Sequence, residues 1–368
     1  MENGFLRRDR FRNLFDMLHR HGYQCHGPQV RDGAVVYAAL AAADDLPRGV
    51  RDIQSPGSYR IEHTGGARYF GWANGPQALK PLVFVPREVL WRASRVADSA
   101  LEFTSAPPPS QRIAVIGVRA CDLAALALQD RHFLGSSTAD RHYAARREQL
   151  FLVAVHCSDP SDSCFCVSTG DGPQATSGFD LALTELDDGF IVESGSTRGA
   201  AVAADLGLED VAAAVRAAAA AQNAAACARQ GRRLPSRDLR VALSASLEHP
   251  RWAEVAGRCL ACGNCTSVCP TCFCHASVDT ASLDGGTSLH ARVWDSCFSQ
   301  GHSYIHGFTV RGDTRARYRQ WLTHKLGSWH EQYGRSGCVG CGRCISWCPA
   351  GIDITEEAAV VCAGIKDE

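Results

Sequence analysis

Short apolar runs separated by helical segments mark the first two thirds of the chain. Residues 112–118 (RIAVIGV) and 150–156 (LFLVAVH) each have the length and composition of a buried strand, and residues 122–133 between them have helical composition. A strand, a helix and a second strand in this order are typical of a right-handed parallel crossover. The pattern therefore predicts an α/β N-terminal domain with a parallel βαβ unit.

Other segments show a weaker pattern. Residues 13–21 have helical periodicity, residues 208–229 predict one or two alanine-rich helices, and residues 81–86 (PLVFVP) predict a short buried strand. The most apolar stretch, residues 211–228, is interrupted by polar and charged side chains. No segment therefore predicts a membrane span.

Cysteine is the residue type that changes this picture, because the chain has 18 cysteines among 368 residues. Eleven of them lie between Cys259 and Cys348, which separates a cysteine-rich part from the α/β part. A boundary near residues 232–240 fits both patterns. We therefore predict two domains, an α/β domain over residues 1–235 and a metal-binding domain over residues 236–368.

The N-terminal segment indicates the compartment and hence the chemistry of these thiols. Residues 1–12 (MENGFLRRDRFR) lack the apolar core and the small-residue cleavage site of a secretory signal, and their two adjacent arginines lack the hydrophobic stretch of a twin-arginine signal. We therefore expect a cytoplasmic protein. Thiols stay reduced there, so dense cysteine indicates bound metal rather than disulfides.

Charge and the absence of two motifs exclude some ligands. The chain has 38 Lys and Arg against 39 Asp and Glu, a net charge of −1, which gives no long-range attraction for nucleic-acid phosphates. Neither GxGxxG nor GxxxxGK[ST] occurs, so direct binding of a nicotinamide dinucleotide or ATP has no sequence support. We expect no nucleic-acid partner.

Two cysteine runs, each closed by Cys-Pro, carry the strongest signal: CLACGNCTSVCP from Cys259 and CVGCGRCISWCP from Cys338. Both follow the pattern of two-cluster ferredoxins, in which the fourth cysteine of a run ligates the other cluster. The rival interpretation is zinc, which takes four tetrahedral ligands, usually as two separated pairs. The ferredoxin rule assigns one [4Fe–4S] cluster to Cys259, Cys262, Cys265 and Cys348, and the second to Cys338, Cys341, Cys344 and Cys269.

The 68 residues between Cys269 and Cys338 are many for a compact two-hairpin ferredoxin and enough for several helices. We therefore predict an α-helical ferredoxin-type dicluster domain. Residues 315–328 (RARYRQWLTHKLGS) are helical in composition and locally basic, with two interleaved aromatic residues. They predict either a solvated helix with its aromatics in the core or a docking face for an acidic redox partner.

Four cysteines of the α/β domain lie where the βαβ unit ends. Cys121 follows its first strand and Cys157 its second, so both are expected at the carboxyl edge of the sheet, and Cys164 and Cys166 lie in the loop that leaves this edge. Four converging thiols predict a third iron–sulfur or other metal site. The alternative is a set of buried, inert thiols. Asp122 is expected at the helix N-terminus, with a role as an oxygen ligand as its alternative.

Three cysteines near the runs, Cys272, Cys274 and Cys297, are either alternative ligands or side chains packed against cluster sulfur. Their roles stay open at this point. The remaining three cysteines have no other candidate ligand near them in the sequence, and we expect them to be ordinary small buried residues: Cys25, Cys227 and Cys362.

The motifs together resemble those of the 4Fe–4S dicluster electron-transfer subunits. This family is typified by the β subunit of cytoplasmic sulfhydrogenase-type [NiFe] hydrogenases and by the A subunit of anaerobic sulfite reductase. The resemblance covers most of the chain. The strings that carry it are CLACGNCTSVCPTCFC (259–274), WDSC (294–297), HKLG (324–327) and GCVGCGRCISWCPAGIDI (337–354), with SPGSYR (55–60), GVRACD (117–122) and residues 157–173 in the first domain.

The resemblance implies an electron-transfer subunit that relays electrons between an FAD- and NAD(P)H-binding reductase subunit and a catalytic subunit, with no catalytic site of its own. The catalytic partner is then either the small and large subunits of a [NiFe] hydrogenase or the catalytic subunit of a sulfite reductase. From the residues alone, two other functions stay open. They are an enzyme whose extra cluster binds a small substrate and a zinc-stabilised interaction scaffold.

Overall fold

The structure is a computed structural model that describes residues 2–77, 79–96, 100–108, 110–135 and 137–363. Its strands are β1 (Glu2–Arg7), β2 (Gln24–Arg31), β3 (Ala34–Ala39), β4 (Val50–Ser55), β5 (Ser58–His63), β6 (Arg87–Arg95), β7 (Leu101–Ser105), β8 (Ile113–Val118), β9 (Leu150–Val155), β10 (Leu181–Glu185), β11 (Gly189–Ser194), β12 (His275–Ala281), β13 (Thr287–Trp294), β14 (Tyr304–Ile305) and β15 (Phe308–Thr309). Its helices are α1 (Arg12–Arg20), α2 (Lys80–Val83), α3 (Ala120–Leu134), α4 (Arg141–Gln149), α5 (Cys166–Thr169), α6 (Thr197–Ala204), α7 (Ala213–Ala228), α8 (Leu239–Ala245), α9 (Arg251–Arg258), α10 (Asn264–Ser267), α11 (Thr314–Thr323), α12 (Trp329–Tyr333), α13 (Arg343–Ser346) and α14 (Ile354–Cys362).

The predicted βαβ unit lies at the centre of a seven-stranded sheet with the order β1-β11-β10-β9-β8-β2-β3. The four central strands, β10, β9, β8 and β2, run parallel, and antiparallel strands flank them at both edges. Ile113 pairs with Leu150, so the two apolar runs are neighbours as predicted. Almost every side chain of β8, β9 and β10 is buried, which explains why these strands are continuously apolar.

The run at residues 81–86 is not a strand, and this prediction is wrong. Lys80–Val83 forms α2 instead, with Pro81 in its first turn. Proline is favoured there because its fixed φ suits a helix start and its missing N–H has no helical partner to lose. An apolar run this short does not by itself distinguish a buried strand from a buried helical turn.

A four-stranded sheet joins the two parts of the chain. Its order is β12-β13-β6-β7, so β6 and β7 come from the α/β part and β12 and β13 from the cysteine-rich part. The long interval between the cysteine runs therefore holds a β-hairpin, which its length did not predict, as well as the expected helices α11 and α12. The boundary at residue 235 stays a prediction.

The cysteine-rich part is built from helices that share a core. Helices α8, α9, α11 and α14 pack around buried Trp252, Leu322 and Val361. Tyr318 and Trp321 of α11 are buried, which fits the solvated-helix interpretation of residues 315–328. A π-helix, His324–Ser328, continues α11 toward α12. Of the helices described, none has both the length and the apolar character that crossing a membrane requires.

Candidate metal centres

The two cysteine runs adopt the same backbone conformation. After the second cysteine, Gly263 and Gly342 are left-handed, at φ 73° and 74°, and each immediately precedes a four-residue helix, α10 or α13. Ala261 and Gly340, one residue before the second cysteine, are also left-handed, at φ 50° and 62°. A repeated conformation of this kind indicates that the two runs are built for the same task.

Each run directs an amide toward the sulfur of its first cysteine. The N–H of Ala261 donates to Cys259 Sγ at 3.4 Å, and the N–H of Gly340 donates to Cys338 Sγ at 3.4 Å. Amide donors stabilise the thiolate over the thiol because they favour the negative charge. The loops are therefore prepared to hold thiolate ligands.

A first cavity brings together one predicted set of four thiols. It lies among α10, α11 and α14, and its apolar wall includes Phe298, Tyr318 and Trp321. Leu260 and Cys262 are exposed, Leu260 to 68%, so this cavity lies close to the surface. The thiols that line it are Cys259, Cys262, Cys265 and Cys348, with Cys344 at the border to the second cavity.

A second cavity brings together the other predicted set. Its wall includes Phe165, Val339 and the buried Lys325. Trp321, Cys344 and Ile354 line both cavities, so the two are neighbours with a common wall. The thiols that line this cavity are Cys269, Cys338, Cys341 and Cys344. Both groups of four contain the fourth cysteine of the opposite run, which is the exchange that the ferredoxin rule predicts.

A cluster and a single zinc ion require different arrangements of four thiols. Four cysteines of a cubane each bind a different iron, whereas the ligands of one zinc ion converge to within about 2.3 Å of one point. Among the described residues, no three His, Cys, Asp or Glu side chains converge in this way. The ligand assignment itself stays a prediction, and the geometry is consistent with it.

Burial raises the pKa of one thiol in each cavity. Desolvation raises the pKa of Cys338 to about 12 and raises that of Cys259 as well. Cys259 and Cys338 are therefore protonated at neutral pH when no metal is bound, and metal binding must displace these two protons. Loading of the two cavities is consequently expected to release protons.

Residues of the α/β part close the second cavity, which sequence reasoning did not anticipate. Arg343, between two cysteines of the second run, forms an ion pair of 2.6 Å with Asp122, and both side chains are buried. Asn74 donates to the carbonyl of Cys341 at 2.9 Å, and the N–H of Phe165 donates to the carbonyl of Gly340 at 2.8 Å. Asp122, in the first turn of α3, thus pairs with the guanidinium group of Arg343.

The four cysteines predicted as a third centre lie in one region of the interior. Cys164 lies close enough to Cys157 and Cys166 for their thiolates to interact electrostatically, and the same holds for Cys121 and Cys166. Cys164 Sγ lies 3.2 Å from Ser161 Oγ, and the amide of Gln230 donates to Cys166 Sγ at 3.3 Å. These contacts also suit thiols that bind no metal, so the third centre stays a prediction.

Comparison with known proteins agrees with the geometry. A family model described as a 4Fe–4S dicluster domain matches residues 258–352. Over 252 residues the chain is 32% identical to the sulfhydrogenase 2 subunit beta of Pyrococcus furiosus, and the alignment covers 66% of this chain and 72% of that protein. No solved structure matches the chain.

Proposed function

This chain belongs to the family of 4Fe–4S dicluster electron-transfer subunits that includes the sulfhydrogenase β subunit, and we propose that it relays electrons within a [NiFe] hydrogenase complex. On this proposal the electrons pass between a subunit that oxidises NAD(P)H with a bound flavin and the hydrogenase small and large subunits. The neighbouring cysteine-lined cavities are the observation that carries the proposal.

The residues of the chain have two tasks in this relay. The eight cysteines of the two runs hold the clusters, each of which, when bound, carries one electron at a time. Trp321 and Ile354 are buried side chains that line both cavities. Cys262 and Leu260 bring the first cavity to the surface, where a partner can approach it. The second cavity is covered by the α/β part, through Asp122 and Asn74.

The partner assignment is tested by purifying the chain from its native cells and identifying the polypeptides that come with it. A flavin-containing subunit and hydrogenase subunits are expected, together with NAD(P)H-linked hydrogen uptake. Co-purification with a sulfite reductase catalytic subunit would instead place the chain in the other kind of complex that the resemblance allows.

The relay itself is tested on the isolated chain. Alone, it is expected to accept electrons from a strong reductant but not from NAD(P)H, because the dinucleotide motif GxGxxG does not occur. Viologen reduction by NAD(P)H should appear only when the flavin-containing subunit is added. Sustained NAD(P)H-to-viologen transfer by the flavin-free chain would overturn the proposal.

A cluster at Cys121, Cys157, Cys164 and Cys166 would extend the relay into the α/β part. Replacement Cys164→Ala is then expected to remove about four irons per chain and to leave the two ferredoxin-type EPR signals in place. Metal analysis of the variant and of the wild type makes this comparison. An unchanged iron content would assign these cysteines to packing.

A further inference from the structure

Lysine is rare in this chain, and two of its lysines are buried. The sequence has three lysines against 35 arginines, and the side chains of Lys80 and Lys325 are only 5% and 4% exposed. An ammonium group is a compact and strongly hydrated charge, so its burial is costly unless the surroundings compensate it. A buried lysine in a chain that otherwise uses arginine is therefore expected to have a specific electrostatic role.

Lys325 is fixed in the wall of the second cavity by its backbone and by its side chain. It lies in the π-helix between α11 and α12, and its carbonyl accepts the N–H of Gly337, directly before the second cysteine run, at 2.8 Å. Its Nζ lies 4.6 Å from the centre of the Trp329 ring and donates to Thr271 Oγ1 at 2.8 Å. The position of the ammonium group is therefore set by contacts on two sides.

Two contacts lead from this ammonium group to Cys269, a predicted ligand of the second cluster. Thr271 Oγ1, which accepts from Lys325, lies 3.2 Å from Cys269 Sγ. Lys325 Nζ also lies 3.4 Å from Cys272 Sγ, and Cys272 shares a hydrogen bond with Cys269. Lys325 is close enough to Cys269 and Cys338 to interact electrostatically with their thiolates. Such an interaction is strong in the interior, where the local dielectric constant is low.

No carboxylate compensates Lys325 within the part of the chain that the structure describes. Arg343, which is also buried beside the second cavity, is paired with Asp122. The first cavity has neither lysine nor arginine among the described residues that line it. An ammonium group without a carboxylate partner therefore faces the second cavity and has no counterpart in the described lining of the first.

We propose that Lys325 gives the second cluster a higher reduction potential than the first, so that an electron entering the dicluster domain is held at the second cavity. Reduction adds one electron and hence one negative charge to a cluster, and no bond forms or breaks. A buried cation stabilises the reduced form more than the oxidised form, which raises the reduction potential. Lys325 keeps its proton throughout. The inference rests on the relay of the proposed function and adds the order in which its clusters fill.

The test is an EPR-monitored redox titration of the isolated full-length chain with both clusters loaded. In the wild type, the signal that Cys338→Ser removes is expected to have the higher reduction potential. Lys325→Met replaces the ammonium group by an uncharged group of similar length, and it should lower the potential of this signal while leaving the other unchanged. The shift should change the equilibrium distribution of one electron between the two clusters by at least tenfold, which is about 59 mV.

Lys80→Met is the matched control, because Lys80 is similarly buried but is not among the described residues that line either cluster cavity. Its Nζ donates to the carbonyls of Thr266 and Ser267, at 3.3 and 3.0 Å. Lys80 is also close enough to Cys269 to interact electrostatically, so a smaller shift of the same sign is expected. A shift in Lys80→Met as large as that in Lys325→Met would overturn the assignment to Lys325.

The wild type gives a readout that does not depend on a variant retaining its fold. If the first cluster is reduced at the higher potential, the proposal is wrong, and the same holds if Lys325→Met keeps its iron and both potentials stay unchanged. Either result leaves the relay of the proposed function intact, since both clusters are then present. A wild type that binds no iron and sulfide would contradict the relay and this inference together.

Discussion

Ala261 and Gly340 occupy equivalent positions in the two cysteine runs, yet their surroundings differ. Both have left-handed backbone, which costs an alanine roughly 1–2 kcal/mol. A Cβ at Gly340 would lie 2.5 Å from the carbonyl oxygen of Phe165, because the α/β part packs on this loop. The glycine of the second run is therefore required by a tertiary contact, whereas the first run accommodates a side chain.

Replacement Gly340→Ala is expected to destabilise the second cavity, because backbone strain and the contact with Phe165 add together. The cost should exceed about 2 kcal/mol and appear as lost iron and a lower melting temperature. Ala261→Gly, the same exchange in reverse at the equivalent position, should change stability by less than about 1 kcal/mol. Equal effects of the two replacements would show that the contact with Phe165 is unimportant.

The exchange of the fourth cysteines between runs is testable by comparing Cys269→Ser with Cys338→Ser. Both thiols line the second cavity, so the two variants should lose the same EPR signal and keep the other. The double replacement Cys259→Ser and Cys348→Ser should remove only the EPR signal of the cluster in the first cavity. If Cys269→Ser and Cys338→Ser lose different signals, the exchanged assignment is wrong.

At the level of elements, a buried ion-pair network adds to strand pairing with β6 in holding the β12–β13 hairpin to the α/β part. Glu88 of β6 contacts Arg292 of β13 at 2.7 Å, and it also contacts Arg146 and His142 of α4, at 2.6 and 3.1 Å. Arg292 additionally binds Asp140. This network fixes the β12–β13 hairpin against β6 and α4 of the α/β part.

Replacement Glu88→Ala is expected to destabilise the protein by about 3–5 kcal/mol, because it leaves buried cations without their partner. Equilibrium unfolding in denaturant measures the change. Glu248→Ala is a suitable control, since Glu248 pairs with Arg315 and Arg319 at the surface and should contribute less than about 1 kcal/mol. A Glu88→Ala variant as stable as the control would contradict the role of the network.

At the level of the whole molecule, the α/β part and the dicluster part share one interior. Arg343 and Asp122 are 221 positions apart and form a fully buried ion pair. Ser346 of the dicluster part also donates to Gln54 at 2.6 Å. Phe165 of the α/β part lines the second cavity, whereas every described residue that lines the first cavity belongs to the dicluster part.

Replacement Asp122→Ala should therefore affect the two centres unequally. Arg343 would be left buried without a counter-charge, at a cost of about 3–5 kcal/mol, next to Cys341 and Cys344. The second EPR signal is expected to be lost at a lower denaturant concentration than the first. Simultaneous loss of both signals would contradict this separation. Glu248→Ala, which removes a surface partner of Arg315 and Arg319, serves as the control.

Local patterns in the sequence determined the chemistry of this protein and part of its fold. Ligands that lie three residues apart belong to one loop, so the spacing of the two runs alone predicts cubane binding. The strands at 113–118 and 150–155 could likewise be predicted, because a strand buried on both faces needs a continuous apolar run. The prediction of a strand at 81–86 is wrong because an apolar run this short shows neither the helical nor the strand periodicity of hydrophobic positions.

Contacts between distant positions were decided only by the tertiary structure. No spacing rule pairs Asp122 with Arg343, or brings β13 to β6, because such contacts depend on how whole elements pack. The same holds for Cys274 and His302, whose meeting requires the hairpin to close and the following chain to fold back. Sequence determines which groups are available as ligands within a loop, and packing determines which distant groups surround them.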